Sequence, residues 1–308
     1  MDVSTACLNC VRTGNILKSI NYTHITLVPK VDNPESLSQY RPISLCNVIY
    51  KIVSKILTNR LKWVLPRIIS ESQSAFVPGR HITDNVLIAF EMLHYMKTKR
   101  IKVSTHMAAK LDMSKAYDRV EWPYLRAIML QLGFNQTWVN LIMACVSLVS
   151  YLVLVNGNPS GLVSPTRGIK QGDPLSPYLF LIYAEGLSSL LRKAEQDRHL
   201  HGIVISRGGP CISHLFFADD GVLFCKATSK ECQALIDILS LYEQASGQKL
   251  NTNKTILHFS ANTQLAMQRE IRFKLGATNT NSLEKHLGLP PFIGRRKRAA
   301  FEKIKTRV

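Results

Sequence analysis

Two adjacent carboxylates set between two apolar runs constrain this chain more than any other feature. In "SHLFFADDGVLFCKA" (213–227), Leu215, Phe216 and Phe217 precede the pair Asp219 and Asp220, and Val222, Leu223 and Phe224 follow it. Each run suits a short buried strand. The pattern predicts a tight hairpin with the acids at its tip, and Gly221 as the residue giving the turn its backbone freedom. Two unit charges ~4 Å apart repel by about 4 kcal/mol at an effective dielectric of about 20. The pair must therefore point into bulk water or gain from a cation.

The chain as a whole is strongly basic. A formal net charge of +18 over 308 residues, with a pI near 9.7, points to a polyanionic partner, because each phosphate neutralised releases counterions. A solubilising surface or a membrane-facing basic patch is the alternative, and composition does not separate RNA from DNA or anionic lipid. With 46% hydrophobic residues the chain can bury a core and more than one lobe. Met1-Asp2-Val3-Ser4 does not open a signal peptide. The most apolar run, Val139 to Val155, is broken by Asn140, Ser147 and Ser150 and falls short of the ~20 residues of a spanning helix. It reads as a buried helix followed by a strand. The expectation is a soluble, intracellular protein with no membrane partner.

The seven cysteines are scattered, which fits a reducing compartment. Cys46, Cys145, Cys211 and Cys225 lie in or beside apolar stretches and are expected as small core residues. Cys7 and Cys10 are spaced like half a zinc site, but no second ligand pair follows.

Apolar periodicity predicts a helix over 45–69, with Lys51, Lys55, Arg60, Lys62 and Arg67 outside its stripe. A second helix is expected over 84–97, with Val86, Leu87, Phe90 and Leu93 inward, followed by a basic connector through Ser104. Residues 106–112 read as a strand ending on an acid, 122–132 as a helix, and 149–155 as a strand closed by the turn Asn156-Gly157-Asn158-Pro159. Ser176-Pro177 predicts a helix through Ala194 with Ser176 as cap. Thr228 and Glu231 have capping-box spacing for a helix that Gly247 ends. Strands and helices follow no regular βαβ order, so the expected class is α+β.

A second acidic stretch, "AAKLDMSKAYDRVEW" (108–122), puts Asp112 at the end of an apolar strand. Taken alone it is equally a strand-to-helix junction capped by Asp112 or Ser114. Together with the hairpin it suggests more: three carboxylates converging from two strands can hold two divalent cations ~3.5–4 Å apart, the arrangement used in nucleotidyl transfer. Mg²⁺ suits such oxygen ligands and substrate phosphates. Between the acidic segments, Arg167, Lys170, Gln171 and Gly172 form a loop in which Gly168 and Gly172 let the backbone approach a ligand closely. An ordinary turn before a capped helix is the other reading.

These segments resemble the reverse transcriptases of LINE-type (non-LTR) retrotransposons, in spelling closest to plant elements. The likeness runs from "NYTHITLVPK" through "SLSQYRPISLCNVIYKIVSKILTNRLK", "SQSAFVPGRHITDNVLIAFEMLH", "KLDMSKAYDRVEW" and "RGIKQGDPLSPYLF" to "HLFFADDGVLF", "SGQKLNTNKT" and "HLGLPPFIGRRK". It implies the fingers and palm of a right-hand polymerase, an antiparallel palm sheet packed on helices, with the thumb largely missing. Residues 1–104 are then expected as fingers and 105–275 as palm, with a finger-like insertion at about 123–164. Residues 276–308 would form the primer-grip segment and the start of a truncated thumb.

The resemblance also implies roles. Asp112, Asp219 and Asp220 are expected as the catalytic, metal-binding set for two Mg²⁺ ions, with Asp220 the least direct ligand. Tyr117 matches the residue that excludes a 2′-hydroxyl. Lys30 and Arg41 match finger cations on the triphosphate, where Arg can grip phosphate in bidentate fashion. Gln171 and Gly172 match the loop lining the nucleotide and template pocket, and Lys254 a palm lysine near the leaving pyrophosphate. "HLGLPPF" resembles the primer grip. Gly221 stands where Ser is common. The implied reaction is RNA-directed DNA synthesis, with an RNA template, a DNA primer and deoxynucleoside triphosphates as partners, in the nucleus when acting on the genome. The rival expectations are a truncated, catalytically weak remnant that binds nucleic acid, and a host-recruited RNA-binding module.

Overall fold

The computed structural model describes residues 2–98, 104–277 and 287. In chain order the elements are helix α1 (Val3–Thr13), strands β1 (Tyr22–Pro29) and β2 (Tyr40–Cys46), and helices α2 (Val48–Ile68) and α3 (Ile82–Thr98). Strand β3 (His106–Leu111), helices α4 (Trp122–Gln131) and α5 (Gln136–Ser147), and strands β4 (Ser150–Val155) and β5 (Asn158–Val163) follow. Then come helix α6 (Ser176–Gln196), strands β6 (His214–Phe217) and β7 (Asp220–Lys226), helix α7 (Ser229–Ser246), strand β8 (Ile256–Phe259) and helix α8 (Leu265–Lys274). The class is α+β.

The chain divides into two compact units, each made of two separate stretches. The first takes residues 1–69 and 115–183, the second 70–114 and 184–308.

In the first unit the sheet order is β2-β1-β4-β5, with β1 parallel to β4 and the other pairs antiparallel. Helix α2 begins at Val48, later than its periodicity suggested. Leu45 and Cys46 are spent on β2, and the Asn47 side chain caps the helix by accepting the Ile49 N–H. Its buried stripe is Tyr50, Val53, Leu57, Leu61 and Leu65. Strands β4 and β5 form a hairpin whose turn is Asn156-Gly157, both at positive φ (50° and 80°), as a two-residue type I′ loop needs. Strand β5 has no counterpart in the sequence reading. It carries Pro159 and Gly161, is exposed along its length, and lies at the sheet edge, where such residues are tolerated.

The second unit holds an antiparallel sheet in the order β6-β7-β3-β8. On one face Ala108, Leu215, Val222 and Phe224 pack with Ala89, Met92, Leu93 and Met96 of α3. Alternation sends Leu223 and Cys225 to the other face, where α7 buries Cys232, Leu235 and Leu239. Each fully buried Leu or Phe contributes about 1.5–3 kcal/mol, so the two-sided cover makes β3 and β7 the rigid centre of this unit.

Several local expectations are corrected. The inward face of α3 is Asn85, Ala89, Met92, Leu93 and Met96, while Leu87 is 61% exposed. The helix is rotated because the Asn85 Nδ2 donates to the Phe216 carbonyl at 2.9 Å, which brings a polar residue into the core. Ser176 is the first helical residue rather than the cap, and the Asp173 carboxylate takes the Leu175 N–H at 3.1 Å. Thr228 caps α7 as expected, but the Glu231 carboxylate turns to the Lys226 and His201 N–H groups instead of closing the box. Cys211 is exposed, whereas Cys7, Cys10 and Cys232 join the buried set, and all seven cysteines are free. Among the described residues no helix is long and apolar enough to cross a membrane.

Candidate active site

The acidic residues come from three neighbouring parts of the second unit. β3 ends at Leu111, paired with Gly221, so Asp112 leaves the sheet level with the β6–β7 turn. The Asp112 carbonyl accepts the Asn251 N–H at 2.9 Å, which ties it to the loop before β8. That loop folds back on itself at Asn251, whose carbonyl accepts the Lys254 and Thr255 N–H groups, and it sets Lys254 Nζ 3.6 Å from Asp112 Oδ2.

The turn itself is shorter than the sequence suggested. Phe217 pairs with Asp220, leaving Ala218 and Asp219 as its two central residues. The positive φ (55°) belongs to Ala218. Gly221 is a correction: it lies in β7 opposite Phe216, and a Cβ there would meet the Phe216 ring at 2.8 Å. Its bareness serves packing rather than turning.

Asp219 is exposed at the tip, yet the protein around it still withdraws part of its hydration. That burial pushes its carboxyl above the usual range. Its own backbone N–H pulls the other way, and the charges of Asp220 and Asp112 push it up further. Asp219 thus senses both other acids across the mouth of the sheet. Among the described residues no three His, Cys, Asp or Glu side chains enclose a metal ion by themselves. Mg²⁺ is commonly held by one or two carboxylates plus substrate phosphates rather than by an all-protein cage, so an oxygen-only set of this kind suits it chemically.

The remaining candidates lie in the first unit. The loop 167–172 is stitched to the segment before α4: the Gly168 N–H donates to Val120 O at 2.8 Å, Ile169 N–H to Tyr117 O at 3.0 Å, and Trp122 Nε1 to Gly168 O at 2.8 Å. On its other side Ser44 N–H of β2 donates to Gln171 O at 2.7 Å. Gly168 (φ 89°) and Gly172 (φ 102°) do allow close approach, but to the backbones of Asp118 and Ser44. The loop therefore gathers Tyr117, Gln171 and Gly172 beside the strand that carries Arg41. Tyr117 stacks on Phe180, with centroids 5.3 Å apart and planes 11° off parallel. Arg41 is exposed opposite Val28, and Lys30 lies just beyond β1 with its Nζ donating to Ser38 O at 2.8 Å. "HLGLPPF" and the basic connector's Lys99, Arg100 and Lys102 lie outside the described residues.

Sequence reasoning missed the network beneath this loop. Asp173 is buried and accepts the Tyr50 hydroxyl at 2.7 Å and the Ser54 hydroxyl. Lys170, equally buried, donates to Asn21 Oδ1 and sits 3.4 Å over the Tyr50 ring. Burial pushes the Lys170 ammonium down and the Asp173 charge opposes it. An acid shortly before a helix start was the available clue to Asp173; nothing local marks Lys170 as buried.

The architecture matches solved polymerases. Apo telomerase from Candida tropicalis, truncated from its C-terminal domain, superposes with a TM-score of 0.56 over 85% of this chain and 55% of that one, at 13% identity. The fold is the fingers and palm of a right-hand polymerase. The family of reverse transcriptase (RNA-dependent DNA polymerase) matches residues 28–278, and the chain belongs to it. It is 30% identical over 249 residues to the transposon TX1 uncharacterized 149 kDa protein of Xenopus laevis, covering 79% of this chain. It is 29% identical over 244 residues, 78% of this chain, to the retrovirus-related Pol polyprotein from the type-2 retrotransposable element R2DM of Drosophila melanogaster. The chain spans 18% and 22% of those two proteins' lengths. Polymerases of this kind work with divalent cations.

Proposed function

We propose that this chain is the RNA-directed DNA polymerase segment of a non-LTR retrotransposon protein, adding deoxynucleotides to a primer 3′-hydroxyl on an RNA template. The antiparallel sheet of the second unit is the palm, and the sheet of the first unit belongs to the fingers. What carries the reading is the placement of Asp112 level with the Ala218–Asp219 turn, where Asp219 is raised by burial and by both neighbouring acids.

When bound, a pair of Mg²⁺ ions supplies activation of the attacking hydroxyl and neutralisation of triphosphate charge. Asp112 and Asp219 hold that charge on the rigid end of the sheet, and Asp220 adds to the negative field. Lys254 offers a cation to the departing pyrophosphate, and Lys30 and Arg41 offer theirs to the triphosphate. Tyr117 walls the sugar, and the Gln171–Gly172 loop lines the base and template. The protein's contribution is positioning and fixed charge. The net charge of +18 supports a nucleic-acid partner.

The test is extension of a DNA primer on an RNA template with Mg²⁺, comparing wild type with Asp219→Asn. The expected result is extension by wild type and a fall of at least ~10³-fold in the variant. Retained template binding with no extension by wild type would favour a binding module instead.

A further inference from the structure

The β6–β7 turn has an unusual construction. Its positive-φ residue is Ala218, where a two-residue hairpin loop ordinarily uses Gly or Asn. The residue placed in that conformation immediately precedes Asp219, so whatever holds Ala218 also aims the carboxylate.

The holding group is the side chain of Gln73. Its Oε1 accepts the Ala218 N–H at 3.0 Å, and its Nε2 faces the Ala218 carbonyl at 3.4 Å. The same Oε1 accepts the Ala75 N–H at 3.0 Å. Gln73 is 1% exposed, and its own backbone is fixed. Residue 73 bridges Phe216 in parallel fashion, Phe216 N–H donates to Ser72 O at 2.7 Å, and Arg80 Nη1 donates to Gln73 O at 2.6 Å. The carboxamide thus clamps both backbone polar groups of one residue, Ala218, from an anchored base. Only an amide does this here: it accepts and donates at one end, and it adds no charge beside three carboxylates.

We infer that Gln73 is a positioning residue for polymerisation, which fixes the direction of Asp219 by bracing Ala218. The inference rests on the polymerase reading above. Losing the brace leaves the hairpin paired but frees its tip, and misplacement by about 1 Å is enough to cost ~10²-fold in rate.

The experiment compares wild type, Gln73→Ala, the isosteric Gln73→Glu, and Ile271→Ala as a buried control in α8. It measures thermal stability, amide exchange over 214–221, primer extension, and the Mg²⁺ concentration giving half-maximal rate. Gln73→Glu covers the case in which Gln73→Ala does not fold. The expected result for both Gln73 variants is faster exchange across the 218–220 tip, at Ala218 itself in Gln73→Ala because Gln73→Glu keeps the acceptor and loses only the donor, together with ~10²-fold slower extension and half-saturation by Mg²⁺ raised ~10-fold, with KM for template–primer unchanged. Ile271→Ala should lose stability without moving the Mg²⁺ response. Active Gln73 variants with wild-type Mg²⁺ dependence would overturn the inference. If wild type itself fails to extend primers, the polymerase reading falls, while unchanged exchange at Ala218 in Gln73→Ala, or across 218–220 in Gln73→Glu where the alanine variant does not fold, would separately refute the brace.

Discussion

Lys254 Nζ lies 3.6 Å from Asp112 Oδ2, and both side chains are substantially solvent-accessible. An exposed pair of this kind contributes under about 1 kcal/mol to stability. On the proposed polymerase reading its value lies in chemistry. Lys254→Ala should leave the unfolding midpoint nearly unchanged while slowing extension by ~10²-fold, the loss typical of one fixed electrostatic donor. Equal losses in stability and rate would argue for a structural lysine.

Gly221 lies under the Phe216 ring, with room for no Cβ short of 2.8 Å. Gly221→Ala should therefore destabilise by about 1–3 kcal/mol through overpacking. Phe216→Leu on the same chain should recover part of that loss, and a double-mutant cycle in urea reads the coupling. Strictly additive single effects would show that the ring is not what the glycine accommodates.

His214 is buried among hydroxyls. Its Nε2 lies 2.7 Å from both Ser72 Oγ and Ser188 Oγ, and its Nδ1 lies 3.0 Å from Ser213 Oγ. Burial, with the nearby Arg192 charge, pushes its pKa from 6.5 down to about 4. Between those values the unfolded chain takes up a proton that the folded chain refuses. Stability therefore falls as pH drops through that window, by up to about 3 kcal/mol. The non-titrating His214→Gln should show a flatter stability profile between pH 6.5 and 4 than wild type. Parallel profiles would place the acid sensitivity elsewhere.

Tyr117 presents its ring from a fixed stack on Phe180. If it walls the sugar, Tyr117→Ala should raise ribonucleotide incorporation relative to deoxynucleotide by a factor on the order of 10², measured as a ratio of kcat/KM. A general loss of activity with unchanged sugar preference would assign the ring to packing alone.

Asp173 holds the Tyr50 and Ser54 hydroxyls inside the first unit, near the Lys170 ammonium. Asp173→Asn leaves a buried cation short of its counter-charge and should cost about 3–5 kcal/mol by chemical denaturation. Adding Lys170→Met should restore part of that stability. A second change that only deepens the loss would contradict the charge pairing.

The legible parts of this chain were those with local patterns. The apolar runs around Asp219, the stripe of α2 and the Thr228 and Gly247 caps each follow from neighbours a few residues apart. What escaped depends on distant partners. Asn85 faces inward because its amide has partners there at Ser74 and the Phe216 carbonyl, and Gly221 is bare because of a ring on the facing strand. Gln73 lies in an irregular stretch, and the partner that gives its side chain a purpose is a turn far along the chain. Strand β5, with its proline and glycine, lacks the composition of a strand and exists because β4 offers it an edge.

The interleaving of the two units along the chain has a consequence for synthesis. Each is assembled from two stretches with part of the other threaded between them, so during synthesis the first lacks its closing strands until the ribosome passes residue 163, and the second waits for the strands after residue 213. Early translation products expose half-built sheets that only later sequence can cover. A premature stop near the middle of this span would spare neither unit, and exchange between related elements would preserve both only if it carried the whole span as one block.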